Sequence, residues 1–310
     1  MPEDVYHIPA LLPEAINLLN IKPDGTYIDA TFGGGGHSRA IIEALGPNGH
    51  LYSFDRDMDA FANRIDDPRF TFVHSNFRFI ENFMRYHDAG KADGILADLG
   101  VSFHHFDSSE RGFSFRSDAP LDMRMNRNAT TSAADIIAGY DESRLRAIFN
   151  AYADLKKAGL VAKAIIKTRE ASPITTTFQL ADAVRPALDP RQEKKELAQV
   201  FQAIRIETND EMGDLRHFLQ ASLRVLSPGG RLAMLTYHSV EDRMVKNFMK
   251  TGNIDGKEDK DFFGKLTTPW RLITRKPIEP SAEEIEANPR SRSAKLRVAE
   301  LLYPEAPPDK

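Results

Sequence analysis

The sequence predicts an α/β protein, a parallel, doubly wound sheet whose chain is interrupted by a mostly helical insert. Three observations carry this. Strand-like runs recur at 26–31, 50–55, 70–74 and 93–98 with helical segments between them, the alternation that builds parallel sheets. From about 105 to 208 no long strand-like run follows, while Leu145, Ile148, Phe149 and Tyr152, then Leu197, Val200, Phe201 and Ile204, recur at helical spacing and mark core-facing stripes. Strand character returns at Gly230–Tyr237, after a helix around 211–226 that Ser227-Pro228-Gly229-Gly230 is expected to stop. The chain therefore divides into 1–104, the first part of the sheet domain; 105–208, the inserted helical domain; and 209–310, the second part with its closing strands near 270–274 and 296–299.

Between the first strand and the first helix stand four glycines, Gly33 to Gly36. Glycine is needed where backbone approaches a ligand closely or where φ is positive. The second strand, Leu51–Asp55, ends in a carboxylate about 20 residues after them, the spacing at which an acid reaches a ribose diol. The pair points to an adenosine-containing cofactor. A dinucleotide would favour G-x-G-x-x-G and a helix N-terminus open to pyrophosphate. Here the glycines are contiguous and Asp29 precedes them. A carboxylate repels an anion and attracts an ammonium, so S-adenosylmethionine, cationic and without phosphate, fits better.

Composition sets the outer bounds. At 310 residues with 41% hydrophobic and 28% charged residues, the chain can bury a large core and reads as an ordinary globular protein. No apolar run approaches the roughly 18 residues of a membrane span, and the acidic start Met1-Pro2-Glu3-Asp4 is unlike a signal peptide; the expected location is cytoplasmic, with no membrane partner. Zero cysteines exclude disulfides, thiolate nucleophiles and cysteine zinc sites, and no metal site is read. A net charge of −4 argues against coating nucleic acid through bulk charge. Local basic patches at Arg111–Arg127, Lys156–Arg169 or Arg290–Arg297 are compatible with it. The stretches 251–260 and 277–288 read as mobile loops, and the tail from Pro304 as frayed.

Four segments offer chemistry at strand ends, where open α/β sheets bind ligands. Asp93–Gly100 is an apolar strand ending in Asp98, able to contact the cofactor or accept from an amine. Ser109–Phe115 and Asp118–Met125 interleave Phe113 and Phe115 with arginines and methionines, as a loop gripping a flat ring would. Tyr237–Arg243 crowds titratable groups around His238. Asn288–Arg297 spaces Arg290, Arg292, Lys295 and Arg297 at near-alternating positions suited to phosphates.

In this order the segments DATFGGGGHS, DGILADLGVS, ERGFSF, LDMRM, FQAIRI, GGRL, HSVEDR and NPRSRSAKLR resemble the ribosomal RNA small-subunit methyltransferase H (MraW-like) family, from His7 to Arg297. The resemblance implies a Rossmann-like S-adenosylmethionine-dependent methyltransferase core with an inserted helical substrate-recognition domain. It implies methylation of the exocyclic N4 amine of a decoding-region cytosine in 16S ribosomal RNA, with the small ribosomal subunit as partner; a homodimer is left open. Cofactor contacts are then expected from Gly35, Gly36, His37, Asp55, Phe77, Asp98 and His105, the last standing where the family has glutamine. Many amine methyltransferases carry Asn/Asp-Pro-Pro-aromatic at this strand end, but here Asp98-Leu99-Gly100-Val101 occurs. Asp98 and His238 are the catalytic candidates, with Phe113, Phe115, Asn288, Arg290, Arg292 and Lys295 as substrate contacts. Rival readings are a small-molecule methyltransferase and a non-catalytic ribosome-assembly factor.

Overall fold

The structure, a computed structural model, describes residues 9–100, 111–126 and 129–302. Two compact units emerge: one from Met1–Gly100 with Gly213–Lys310, the other from Val101–Met212. The insert expected at 105–208 lies inside the second.

The first unit is built on a seven-stranded sheet of order β3-β2-β1-β4-β5-β9-β8. Its strands are β1 (Thr26–Asp29), β2 (His50–Asp55), β3 (Phe70–His74), β4 (Ala92–Asp98), β5 (Leu226–Thr236), β8 (Trp270–Leu272) and β9 (Lys295–Leu301); β6 (Asp259–Lys260) and β7 (Leu266–Thr267) form a separate hairpin. The first five strands pair in parallel and the last two add antiparallel. Burial explains the composition of the inner strands: Ile95, Leu96 and Ala97 of β4 and Leu232 to Leu235 of β5 are fully buried, as expected for a parallel sheet covered on both faces. Between β1 and β4 the strand order reverses, which opens a crevice beyond their carboxyl ends. The helices of this unit are α1 (Leu12–Leu19), α2 (Gly36–Ala44), α3 (Ile80–Tyr86), and, later in the chain, α10 (Ser239–Thr251) and α11 (Ala282–Ala287).

Two local expectations need correction. Ser227-Pro228-Gly229-Gly230 does not separate helix from strand: helix α9 (Glu211–Val225) runs directly into β5, and the tetrapeptide is accommodated within the strand. The β4 register jumps from Ala92↔Leu226 to Gly94↔Arg231, with Gly229 at φ +79, the irregularity that proline and glycine impose on a ladder. The stretch 277–288 is no plain loop, because Ser281 caps α11 by accepting from the Glu284 N–H.

The helical unit contains α4 (Ala133–Gly139), α5 (Glu142–Tyr152), α6 (Ala158–Ala171), α7 (Thr177–Val184) and α8 (Glu193–Thr208). Capping boxes Ser132/Asp135 and Thr176/Gln179 start α4 and α7. The helical stripes face one core as expected: Leu145, Phe149, Val200 and Ile204 are fully buried and Tyr152 packs against them. Phe149→Ala is expected to lower the stability of this unit by about 3–5 kcal/mol through the cavity it leaves, measured by denaturant unfolding.

Candidate functional site

The loop after β1 is fixed by its backbone. Ala30 N–H donates to Leu96 O at 2.8 Å, Phe32 N–H to Phe54 O at 2.8 Å, and Gly35 N–H to Phe32 O at 2.7 Å. Asp55, at the end of β2, accepts from Gly33 N–H through Oδ2 at 2.8 Å and from Asp57 N–H through Oδ1 at 2.8 Å. Each oxygen keeps a further lone pair, so the carboxylate can hold the loop and still accept two hydroxyls. Burial pushes its pKa up against these two backbone bonds.

The glycines serve different ends. Gly33 has φ +51, and a Cβ there would meet nothing within 4 Å among the described residues: toward them its face is open, and a ligand can lie against it. At Gly35, with φ +76, a Cβ would fall 2.8 Å from the Arg39 guanidinium and 3.0 Å from the Phe32 ring, and at Gly36 it would fall 2.7 Å from Pro9. Glycine at 35 and 36 is thus required by packing as well as expected at a cofactor, and Gly33 adds an open face that sequence reasoning passed over within a run of identical residues. Gly35→Val should therefore cost about 2–4 kcal/mol in stability from left-handed strain and overlap, and thermal melting of the variant checks it.

Asp29 does not face this space. It is 1% exposed, and its oxygens accept from Ser38 Oγ at 2.6 Å and Thr31 N–H at 3.0 Å. Burial, above all, raises its pKa. The acid that the sequence reading set against an ammonium is a buried clamp between β1 and α2.

At the end of β4 the carboxylate of Asp98 is 16% exposed. Its backbone N–H donates to Thr31 Oγ1 at 2.6 Å, and Oδ1 accepts from Gly100 N–H at 3.2 Å. Oδ2 lies 3.8 Å from His37 Nδ1. The other ring nitrogen of His37 is 3.2 Å from Ala10 O; a carbonyl only accepts, so Nε2 carries the proton. The Tyr237 hydroxyl also bonds Asp98, and burial, followed by the Asp98 charge, pushes the phenol well above its ordinary pKa. Tyr237 was visible in the sequence only as one member of a polar cluster; its place one residue beyond β5, the neighbour of β4, makes it Asp98's partner.

His238 is the N-cap of α10, accepting through Nδ1 from Glu241 N–H at 3.4 Å. Its Nε2 sits 3.0 Å from Glu241 Oε1 without the geometry of a hydrogen bond, while Glu241 Oε2 accepts from Tyr237 N–H at 3.0 Å. The crowding of titratable groups here is a capping box. Phe77 opens a short turn after β3 and packs edge-on against Phe218 at 5.2 Å. Its flanking Asn76 and Arg78 both donate to the buried Asp214, at 2.5 and 2.8 Å.

The remaining substrate candidates separate. Phe113 is 6% exposed in the core of the helical unit, and Phe115 packs on Phe201 at 5.5 Å; both are held by their own unit's packing, not displayed as a ring-gripping loop. Arg111 donates to the carbonyls of Arg124 and Met125, and Arg124 pairs with Asp122 at 2.6 Å, so these cations brace the backbone. Asn288 is buried, and its carbonyl accepts from Ser291. Arg297 is buried in a two-pronged pair with Asp242 at 2.7 and 3.0 Å. Arg290 and Arg292 are exposed and Lys295 is partly exposed, 3.9 Å from Glu279, so the run of four cations reduces to three. His105 lies outside the described residues. Among the described residues no helix is long and apolar enough to cross a membrane.

Comparison with known proteins gives this geometry its context. Proteins called ribosomal RNA small subunit methyltransferase H from Bacteroides fragilis strain YCH46 and Bacteroides thetaiotaomicron are each 57% identical to this chain over 298 residues, covering 96% of it and 98% of each relative. The protein of that name from Porphyromonas gingivalis strain ATCC 33277 is 54% identical over 305 residues, covering 97% of this chain and 98% of its own. The MraW methylase family matches residues 4–302, and the chain belongs to that family.

Proposed function

We propose that this protein methylates the N4 amine of a cytosine in the decoding region of 16S ribosomal RNA, in the cytoplasm where small subunits are made. The observation that carries the reading is identity of 54–57% over nearly the whole chain to relatives that bear the name of a small-subunit ribosomal RNA methyltransferase. S-adenosylmethionine is the methyl donor and supplies an electrophilic methyl on a sulfonium. The site fits it: an open face at Gly33, a carboxylate at Asp55 with lone pairs to spare for a ribose diol, and a second carboxylate at Asp98 across the switch point.

Cytosine's amine is a poor nucleophile because its lone pair is delocalised into the ring. The protein must align it and offset the positive charge that grows on nitrogen. Asp98 is the group proposed for this, accepting an N–H from the amine. Tyr237 and the Gly100 N–H hold the carboxylate in place, and no prolyl carbonyl is needed. The helical unit is the proposed substrate-recognition part. Mass mapping of small-subunit RNA from cells with and without this protein tests the reading: one methyl should vanish from one cytosine, and an unchanged map overturns it.

Arg290, Arg292 and Lys295 are proposed to bind phosphates. Neutralising all three should leave cofactor affinity near wild type and flatten the salt dependence of RNA binding. The logarithmic slope should fall by roughly 0.7–0.9 for each phosphate no longer neutralised. An unchanged slope would return these cations to the solvated surface.

A further inference from the structure

The two most exposed large apolar side chains among the described residues are neighbours: Phe262 is 97% and Phe263 89% exposed. They occupy the tip of the β6–β7 hairpin, where Asp259 pairs with Thr267 and Lys260 with Leu266. The tip is built rather than loose. Asp261 Oδ1 accepts from the N–H groups of Phe263 and Lys265, both at 2.9 Å, Gly264 N–H donates to Asp261 O at 2.9 Å, and Gly264 takes φ +78. This turn holds both rings outward, 5.5 Å apart and nearly perpendicular, without using them to stabilise itself.

The surroundings select the partner. An anchor for a protein pocket is ordinarily ringed by further apolar surface that excludes water, whereas these rings are flanked by Asp259, Lys260, Asp261 and Lys265. Of the acids nearby, Asp261 is engaged within the turn and Glu258 with Lys250 at 2.7 Å and Lys260 at 3.1 Å, while Asp259 is exposed on the strand leading to the tip. Lys257 and Lys265 are exposed, and neither has an ion pair within 4 Å among the described residues. Bare aromatic faces beside unpaired ammonium groups suit unpaired bases and their phosphates.

The hairpin also lies away from the methylation site within the same unit. It leads into β8, whose first residue pairs with Leu301, at the end of β9 remote from the Thr236↔Lys295 pairing next to the site. β9 rises about 20 Å between those ends, several nucleotides of extended RNA. We propose that the Phe262–Phe263 tip is a second RNA contact, stacking on unpaired bases of the small-subunit ribosomal RNA at a distance from the methylated cytosine. This rests on the proposed RNA substrate, and it explains how one domain engages a large folded RNA at two places.

The test compares wild type with the Phe262→Ala/Phe263→Ala double variant on two probes: protein-free, folded, unmethylated small-subunit RNA, and a short synthetic RNA holding only the target cytosine's hairpin. On the long RNA, KM should rise roughly tenfold to a hundredfold, the scale of losing a stacked base, with kcat, cofactor affinity and melting temperature unchanged. The short RNA should show no change. Phe263→Tyr, which keeps the π-face, should behave as wild type, and Phe263→Leu should not. Equal KM on the long RNA overturns the proposal. So does rescue by leucine, a defect seen only when ribosomal proteins are present, or a drop in the oligomeric mass of the double variant, which would make the occupant a protein or a second copy. If wild type methylates neither RNA, the proposed function fails, and equilibrium binding of the long RNA by the two proteins still decides the role of the tip.

Discussion

Asp98→Asn is expected to lower turnover by about 10²–10³, the loss that follows removal of one preorganised electrostatic partner, while cofactor and RNA affinities change far less. Asparagine keeps the size of the side chain and one oxygen, so the bond from Gly100 N–H can persist. What disappears is the negative charge proposed to face the amine as it becomes cationic. The surroundings should tolerate the change. Tyr237 stays protonated because burial, ahead of Asp98's charge, is the main cause of its raised pKa, and His37 remains bonded to Ala10 O. Single-turnover kinetics at saturating cofactor separate the roles. A large loss of cofactor affinity with turnover preserved would make Asp98 a cofactor ligand and require another acceptor for the amine. Tyr237→Phe provides the companion measurement: with the hydroxyl gone but the ring still packed near Gly100, a fall in kcat without a rise in KM would mark Tyr237 as a positioning residue for the carboxylate.

Much of this arrangement was legible in the residues because its causes are local. Strands such as 50–55 and 70–74 announce themselves by short apolar runs between turn residues, and the stripes of α5 and α8 by their period. The interrupted sheet followed from the return of strand character at residue 230. Harder to read were features set by tertiary neighbours. Nothing in the run Gly33 to Gly36 tells which glycine faces open space and which abuts Phe32 or Pro9. Asp29 and Asp55 look alike at strand ends, yet one is sealed by Ser38 and the other is left with lone pairs at the loop. Arg297 belongs to the same basic run as Arg292, but it lies within β9, where it is buried and paired with Asp242, while Arg292 stands exposed in the turn before the strand. His238 and Glu241 share the i, i+3 spacing of a capping box, a signal present in the sequence and outweighed there by their titratable chemistry.

Asp55→Ala should carry the largest effect on the cofactor, because the same carboxylate serves two functions. As the proposed acceptor for two ribose hydroxyls it provides charge-assisted hydrogen bonds of about 1.5–3 kcal/mol each, so the dissociation constant should rise by about 10²–10⁴. It also fastens Gly33 N–H and Asp57 N–H, and without it the open face at Gly33 loses its fixed position. Folding stability should suffer less than these bonds alone suggest. Burial raises the carboxyl's pKa, so its favourable contribution to folding is complete below the unfolded-state value of about 3.9 and is lost as pH rises through the folded-state value; at neutral pH alanine removes a buried charge along with its partners. Cofactor binding has the opposite pH dependence, since hydroxyl donors need the ionised form: wild-type affinity should weaken as pH falls through the raised pKa, and the alanine variant should lose that dependence. Asp55→Asn, which keeps one acceptor oxygen, should fall between the two. Calorimetric titration with S-adenosylmethionine at several pH values measures all three proteins, and an unchanged dissociation constant in Asp55→Ala would remove this aspartate from the cofactor site.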